Sequence, residues 1–157
     1  MFKEECELAV DLLSESDLDN VALLFNDYRV FYQQKTDVSA AYNFISERFF
    51  NKESVVLVAK AAGKVVGFIQ MYPSFSSVQA RKIFILNDLF VRADYRQLKV
   101  GERLMRFSEA YAKKEKASML VLETMSDNLT AKNLYKKRGY EQEVGVEIYA
   151  LNLQEAE

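Results

Sequence analysis

The chain has 157 residues, half of them hydrophobic, which suits one globular domain over 1–157 with a sizeable core. A formal net charge of −2 and an isoelectric point near 5.4 leave no basic excess for general nucleic-acid binding. There is no histidine and one cysteine, Cys6, which excludes Ser-His-Asp and Cys-His catalysis, histidine or thiolate metal cages, and an intramolecular disulfide.

No apolar run is long enough to cross a membrane, and the acidic, mixed start MFKEECELAV is unlike a signal peptide, so a cytoplasmic location is expected. Glu7 to Leu12 reads as a first strand. Ser14, Ser16 and Asp17 offer caps for a helix to about Tyr32, with Leu18, Val21, Ala22, Leu24, Phe25 and Tyr28 at helical spacing. A second helix is expected over Val38 to Phe50, capped by Thr36 or Asp37. VVLVA (Val55 to Ala59) and VVGFIQMY (Val65 to Tyr72) flank the turn AAGK and read as a β-hairpin that Pro73 ends. The loop PSFSS leads into IFILNDLFV (Ile83 to Val91), apolar enough for a central strand buried on both faces.

Leu98 to about Lys116 reads as a helix with Val100, Leu104, Phe107 and Tyr111 in one apolar row and Gly101, Met105, Ser108 and Ala112 in an adjacent, smaller one. MLVLE (Met119 to Glu123) is a strand. Asp127 or Asn128 caps a helix through about Arg138, which Gly139 stops, and Val144 to Leu153 is expected as a final strand. The result is a mixed α/β chain around one sheet.

Three features do not follow from folding alone. Asn87-Asp88 interrupts the most apolar strand, either as a sheet-end carboxylate satisfied by its neighbours or as a buried base. VRADYRQLKVGERL is strand, loop, helix, with Arg96 and Lys99 at the helix mouth and Gly101 in its first turn. It reads as a phosphate site on helix N–H groups or as a packing glycine beside solvated charges. It is not a P-loop. In NLTAKNLYKKRGY, Tyr135 shares a helix face with Ala131, Leu134 and Arg138, as a core aromatic or a proton-donating phenol. Lys136, Lys137 and Arg138 read as a solvated helix end.

These features in this order resemble the Gcn5-related N-acetyltransferase (GNAT) superfamily. Arg96-Gln97-Leu98-Lys99-Val100-Gly101 matches the first and last positions of the family's Gln/Arg-x-x-Gly-x-Gly/Ala loop. The preceding L-F-V-x-x-x-Y-R and the later N-x-x-A-x-x-L-Y-x-x-x-G-Y are similar too. The resemblance implies an α/β fold with a single mixed, mostly antiparallel sheet flanked by helices and a splayed parallel strand pair. It implies acetyl-coenzyme A (acetyl-CoA) as donor, a primary amine as acceptor, and no metal. The arm of the cofactor would pair with the strand at Leu89, Phe90 and Val91. Its pyrophosphate would lie on Arg96, Gln97, Leu98, Lys99, Val100, Gly101 and Glu102, and Asn128 would contact the arm. Lys99 departs from the family's first glycine and needs a backbone conformation that glycine adopts easily.

Direct attack in a ternary complex is expected. The resemblance implies Tyr135 as acid for the leaving thiolate, Asp88 as base through water, with Glu123 second, and a backbone N–H near Leu89 for the oxyanion. Phe31, Tyr32, Gln33, Tyr72, Phe75 and Asn87 are candidates for the acceptor wall, either through cation–π contact or as simple aromatic packing. A small amine such as a polyamine, an amino acid or an aminoglycoside is expected, with a homodimer by analogy. The alternatives are a non-catalytic coenzyme A sensor, an acetyltransferase acting on a protein amine, and a different phosphate-ligand binder.

Overall fold

The computed structural model describes residues 7–155. Cys6 and the start of the chain, on which the N-terminal reading rests, lie outside them. The described residues form two compact units, one ending at Glu123 and one beginning at Thr124.

The first unit holds β1 (Leu8–Leu12), α1 (Leu18–Phe31), α2 (Val38–Phe50), β2 (Val55–Ala61), β3 (Lys64–Ser76), β4 (Arg81–Val91), α3 (Val100–Lys114) and β5 (Leu120–Leu122). The strands form one sheet in the order β1-β2-β3-β4-β5. All neighbours are antiparallel except β4 and β5, which run parallel. This is the mixed sheet flanked by helices that the resemblance implies.

Helices α1 and α2 cover one face. Leu18, Val21, Leu24 and Phe25 pack with Ala41 and Ile45 over Val56, Val58 and Phe68. Their connection is tied by Asn26, whose amide donates to Thr36 Oγ1 (3.0 Å) and accepts from the Asp37 N–H (2.8 Å). Asp37 in turn caps α2 by accepting from the Ala40 N–H at 2.9 Å. Of the two candidate caps, Thr36 therefore braces the loop and Asp37 caps the helix.

Helix α3 covers the opposite face. Its buried stripe is Val100, Leu104, Met105, Ser108 and Ala112. The stripe draws on both expected rows, Val100 and Leu104 from the apolar one and Met105, Ser108 and Ala112 from the smaller one, while Phe107 of the apolar row is 41% exposed. The sheet below lets the helix come close. At Gly67 in β3, an added Cβ would lie 3.1 Å from Leu104 Cδ1, and 3.2 Å from both Val100 Cγ1 and the Phe90 carbonyl.

Strand β3 does not stop at Pro73 but runs to Ser76, with Pro73 opposite Phe84 of β4. The correction has a simple cause. The β2 ladder ends at Val55 opposite Met71, so Pro73 sits where one side of β3 has no neighbour and a missing N–H costs no bond.

The second unit holds α4 (Leu129–Lys137). The Asn128 side chain caps it, accepting from the Ala131 N–H at 3.2 Å. Gly139, at φ 90, ends it with paired bonds from Gly139 N–H to the Lys136 carbonyl and from Tyr140 N–H to the Tyr135 carbonyl, both 3.0 Å. The final strand expected over Val144 to Leu153 is not formed, and these residues are exposed. The unit contains no strand to pair with, and an apolar run without a ladder partner has no β structure of its own.

Candidate active site

The site grows from an irregularity in β4. Leu86 pairs with Met71 and Asp88 with Gln70, so Asn87 is an extra residue opposite one position of β3. Such a bulge lets two consecutive side chains share a face and bends the strand. Phe84 contacts Tyr111 of α3, whereas Phe90 packs with Phe68 and Tyr28 on the α1–α2 side. The bulge is where β4 changes which of its alternate residues face α1 and α2, and it presents Asn87 and Asp88 together on that side.

Asp88 is 4% exposed, and no ion pair among the described residues engages it. Neutral donors hold it: Gln70 Nε2 donates to one oxygen at 2.7 Å and Asn87 Nδ2 to the other at 3.0 Å. Gln70 is fully buried and is itself fixed by Ser54 Oγ, which donates to its carbonyl oxygen at 2.9 Å. The carboxylate is thus oriented without being neutralised, which suits a group that must take up a proton.

Asp88 and Asn87 lie in the wall of a cavity of about 430 Å³. Phe25, Tyr28, Tyr32, Phe44 and Tyr72 supply aromatic surface to it, and Arg29 a guanidinium. Burial, with the Asp88 carboxylate adding to it, pushes the Tyr72 phenol up to about 12, so its O–H remains a donor at neutral pH. The volume is that of a small-molecule site.

The other side of β4 carries an open backbone edge. The ladder to β5 covers only Phe84 to Leu86, opposite Leu120 to Leu122. Beyond it the Arg92 N–H bonds the Val66 carbonyl across β3 at 2.8 Å. By alternation, the backbone groups of Leu89 and Val91 face away from β3 onto the edge that β5 has left. The Val91 carbonyl accepts from Arg96 Nε at 3.0 Å, and the Arg96 guanidinium lies 5.4 Å from the Phe90 ring. The edge at Leu89 has no strand partner.

The loop that follows ends in the N-terminus of α3. The first intrahelical bond is Arg103 N–H to the Lys99 carbonyl, at 3.0 Å. The N–H groups of Val100 and Gly101, in the first turn, have no acceptor within the helix. Lys99 stands at the N-cap with φ 60 and ψ 19, a left-handed conformation that glycine adopts easily. Gln97 is left-handed as well, with φ 65. The donor set, an unpaired strand edge followed by helix N–H groups with Arg96 and Lys99 at the mouth, fits an amide-bearing arm ending in a pyrophosphate.

The remaining expected residues fall in several places. Tyr32, Tyr72, Asn87 and Asp88 line the cavity, while Phe31, Gln33 and Phe75 are exposed and do not. Phe31 rests 6.3 Å from Phe90, at the flank of the aromatic group. Glu123 is exposed just past β5. In the second unit Asn128 caps α4, and Tyr135 is half-buried with its ring 6.0 Å from Tyr140. Sequence reasoning missed Arg29, Gln70 and Ser54. Gln70 had a signal, a lone amide in the apolar run VVGFIQMY, while Arg29 resembled any solvated helix residue. No cluster of three or more metal-ligating side chains occurs among the described residues, and no helix there is long and apolar enough to cross a membrane.

The sequence matches the acetyltransferase (GNAT) family over residues 19–140. It is 44% identical over 138 residues to an uncharacterised N-acetyltransferase, YhfO, of Bacillus subtilis, covering 88% of this chain and 93% of that one. The crystal structure of a probable acetyltransferase superposes with a TM-score of 0.88 at 29% identity, over 94% of this chain and 99% of that one. The aminoglycoside N-acetyltransferase AAC(6')-Iy, solved in complex with CoA, superposes with a TM-score of 0.80 over 96% of this chain and 99% of that one. At 15% identity it speaks to the fold alone.

Proposed function

The chain belongs to the acetyltransferase (GNAT) family and is an N-acetyltransferase, and on that premise we propose that it acetylates the primary amine of a small molecule by direct attack with both substrates bound. One observation carries this reading. A cavity of small-molecule size has the buried Asp88 in its wall, on the strand whose open edge carries Leu89 and Val91.

Acetyl-coenzyme A, when bound, supplies an activated acetyl thioester. Leu89, Phe90 and Val91 would hold its arm along the β4 edge, with Asn128. Arg96, Gln97, Leu98, Lys99, Val100, Gly101 and Glu102 would hold its pyrophosphate. The Val91 carbonyl is already engaged by Arg96, which leaves Leu89 and the Val91 N–H as the pairing groups. Asp88 takes the proton from the incoming ammonium, through water, and Glu123 is the weaker candidate because it is exposed outside the cavity wall. The Leu89 N–H stabilises the developing oxyanion. Transfer forms a C–N bond and breaks a C–S bond, and Tyr135 would be the proton donor for the leaving thiolate. Tyr32, Tyr72 and Asn87 would face the acceptor, whereas Phe31, Gln33 and Phe75 do not line its cavity.

A cytoplasmic location belongs to this reading. So does a homodimer, which the exposed apolar Val146, Ile148 and Leu151 support; sedimentation at two concentrations checks it. The main test is thiol release across a panel of small amines. Asp88→Asn is expected to lower kcat about a hundredfold or more and change the pH–rate profile, and Tyr135→Phe to lower kcat by a similar factor. Coenzyme A binding without turnover of any amine would assign a sensor domain instead.

A further inference from the structure

Arg29 is the one cationic side chain in the cavity wall, and Asp88 is the one carboxylate. No ion pair among the described residues engages Arg29. Its Nη1 is shut off from solvent and has no hydrogen-bond partner. Nearby Arg48 also has a buried Nε without an aligned hydrogen bond, but its charge is matched, because its guanidinium pairs with Glu47 (2.9 Å) and Glu53 (2.7 Å) and lies 4.7 Å from the centre of the Phe44 ring. A buried guanidinium donor left unmatched is costly, more so than a neutral one. At the wall of a cavity it is matched once a ligand brings an acceptor.

We propose that Arg29 determines acceptor specificity by binding an anionic oxygen group, carboxylate or phosphate, on the same molecule whose amine is presented to Asp88. The acceptor class is an aminocarboxylic acid or an aminoalkyl phosphate rather than a polycation. A fork of guanidinium N–H groups matches either anion, and a polyamine or aminoglycoside would bring an unpaired ammonium against it. Phe25, Tyr28, Phe44 and Tyr72 supply apolar surface in the same cavity wall for the ligand's body.

This inference rests on the acetyl-transfer reading above, and the test separates the two. Thiol release is measured with amino acids, their matched carboxamides, 2-aminoethyl phosphate and polyamines, for the wild type, Arg29→Gln and Arg29→Lys. Coenzyme A affinity and melting temperature are measured in parallel. The wild type is expected to prefer the anionic amines. Arg29→Gln should raise their KM about tenfold or more and leave the carboxamides and coenzyme A affinity unmoved, with partial rescue by Arg29→Lys. A preference for carboxamides or polyamines, or an equal KM rise for charged and neutral acceptors, overturns the inference and leaves acetyl transfer standing. Coenzyme A binding with no amine acetylated overturns both.

Discussion

Lys99 occupies a left-handed N-cap, a conformation that costs a residue with a side chain about 1 kcal/mol more than glycine. The chain keeps a positive charge there in place of an easier turn. In Lys99→Gly the conformational relief and the greater freedom of the unfolded chain offset each other, so the melting temperature should move by only about 2 °C. Coenzyme A affinity should fall about threefold, with a shallower salt dependence in calorimetry, because a charge beside the pyrophosphate is gone. Unchanged affinity and salt slope would remove Lys99 from phosphate binding. Tyr72 gives a second prediction. Its folded-state pKa, about 12, lies above the ordinary 10.0, so between those values the folded protein holds a proton that the unfolded chain has released. The contribution of Tyr72 to stability should therefore be level below pH 10 and decline as pH rises towards 12. Tyr111, raised by burial and by Glu115, adds to the decline. Tyr72→Phe should reduce it in melting curves recorded against pH, and should remove the latest phenolate from an absorbance titration. At this scale the sequence was legible where a residue broke its surroundings, as Asp88 does in an apolar strand. It was silent where a residue type looked ordinary, as Arg29 does on a helix.

Among the elements, α3 is placed by an absence. With Gly67 below it, the helix comes close enough to bury Val100 and Leu104 against β3. Gly67→Ala would set a Cβ 3.2 Å from the Phe90 carbonyl, a backbone atom that cannot swing aside. The expected cost is about 1–3 kcal/mol, a fall of roughly 3–10 °C in melting temperature. Because the first turn of α3 supplies the proposed phosphate donors, coenzyme A affinity should fall as well. Full retention of both would mean that the helix shifts without consequence. Most elements were legible from periodicity, since α2 and the strand cores announce themselves by apolar spacing. Pro73 misled because a proline stops a strand only where its N–H is needed, and the sequence does not say which edge of β3 is free. Val144 to Leu153 misled for the complementary reason. A strand-like composition specifies a strand only together with a partner, and the second unit offers none.

For the molecule as a whole, the sheet order and the open edge of β4 were foreseeable only through the family resemblance, because pairing partners are set by topology rather than by local pattern. If the edge and loop bind coenzyme A, saturation at about 100 times Kd should stabilise the protein by about 2.7 kcal/mol and raise its melting temperature by roughly 5–10 °C. ATP should produce much less, since it has no arm to pair with Leu89. Equal shifts would reduce the site to a general phosphate binder. The Asn87 bulge and the end of the β4–β5 ladder at Leu86 are adjacent. One surplus residue thus stands beside the buried carboxylate at the position where β4 loses its parallel neighbour, since β5 ends at Leu122. Deleting Asn87 would remove the bulge and one of the two donors to Asp88, leaving a straighter strand. The deletion variant is expected to keep its melting temperature while kcat falls, so selection for stability alone would not retain the bulge.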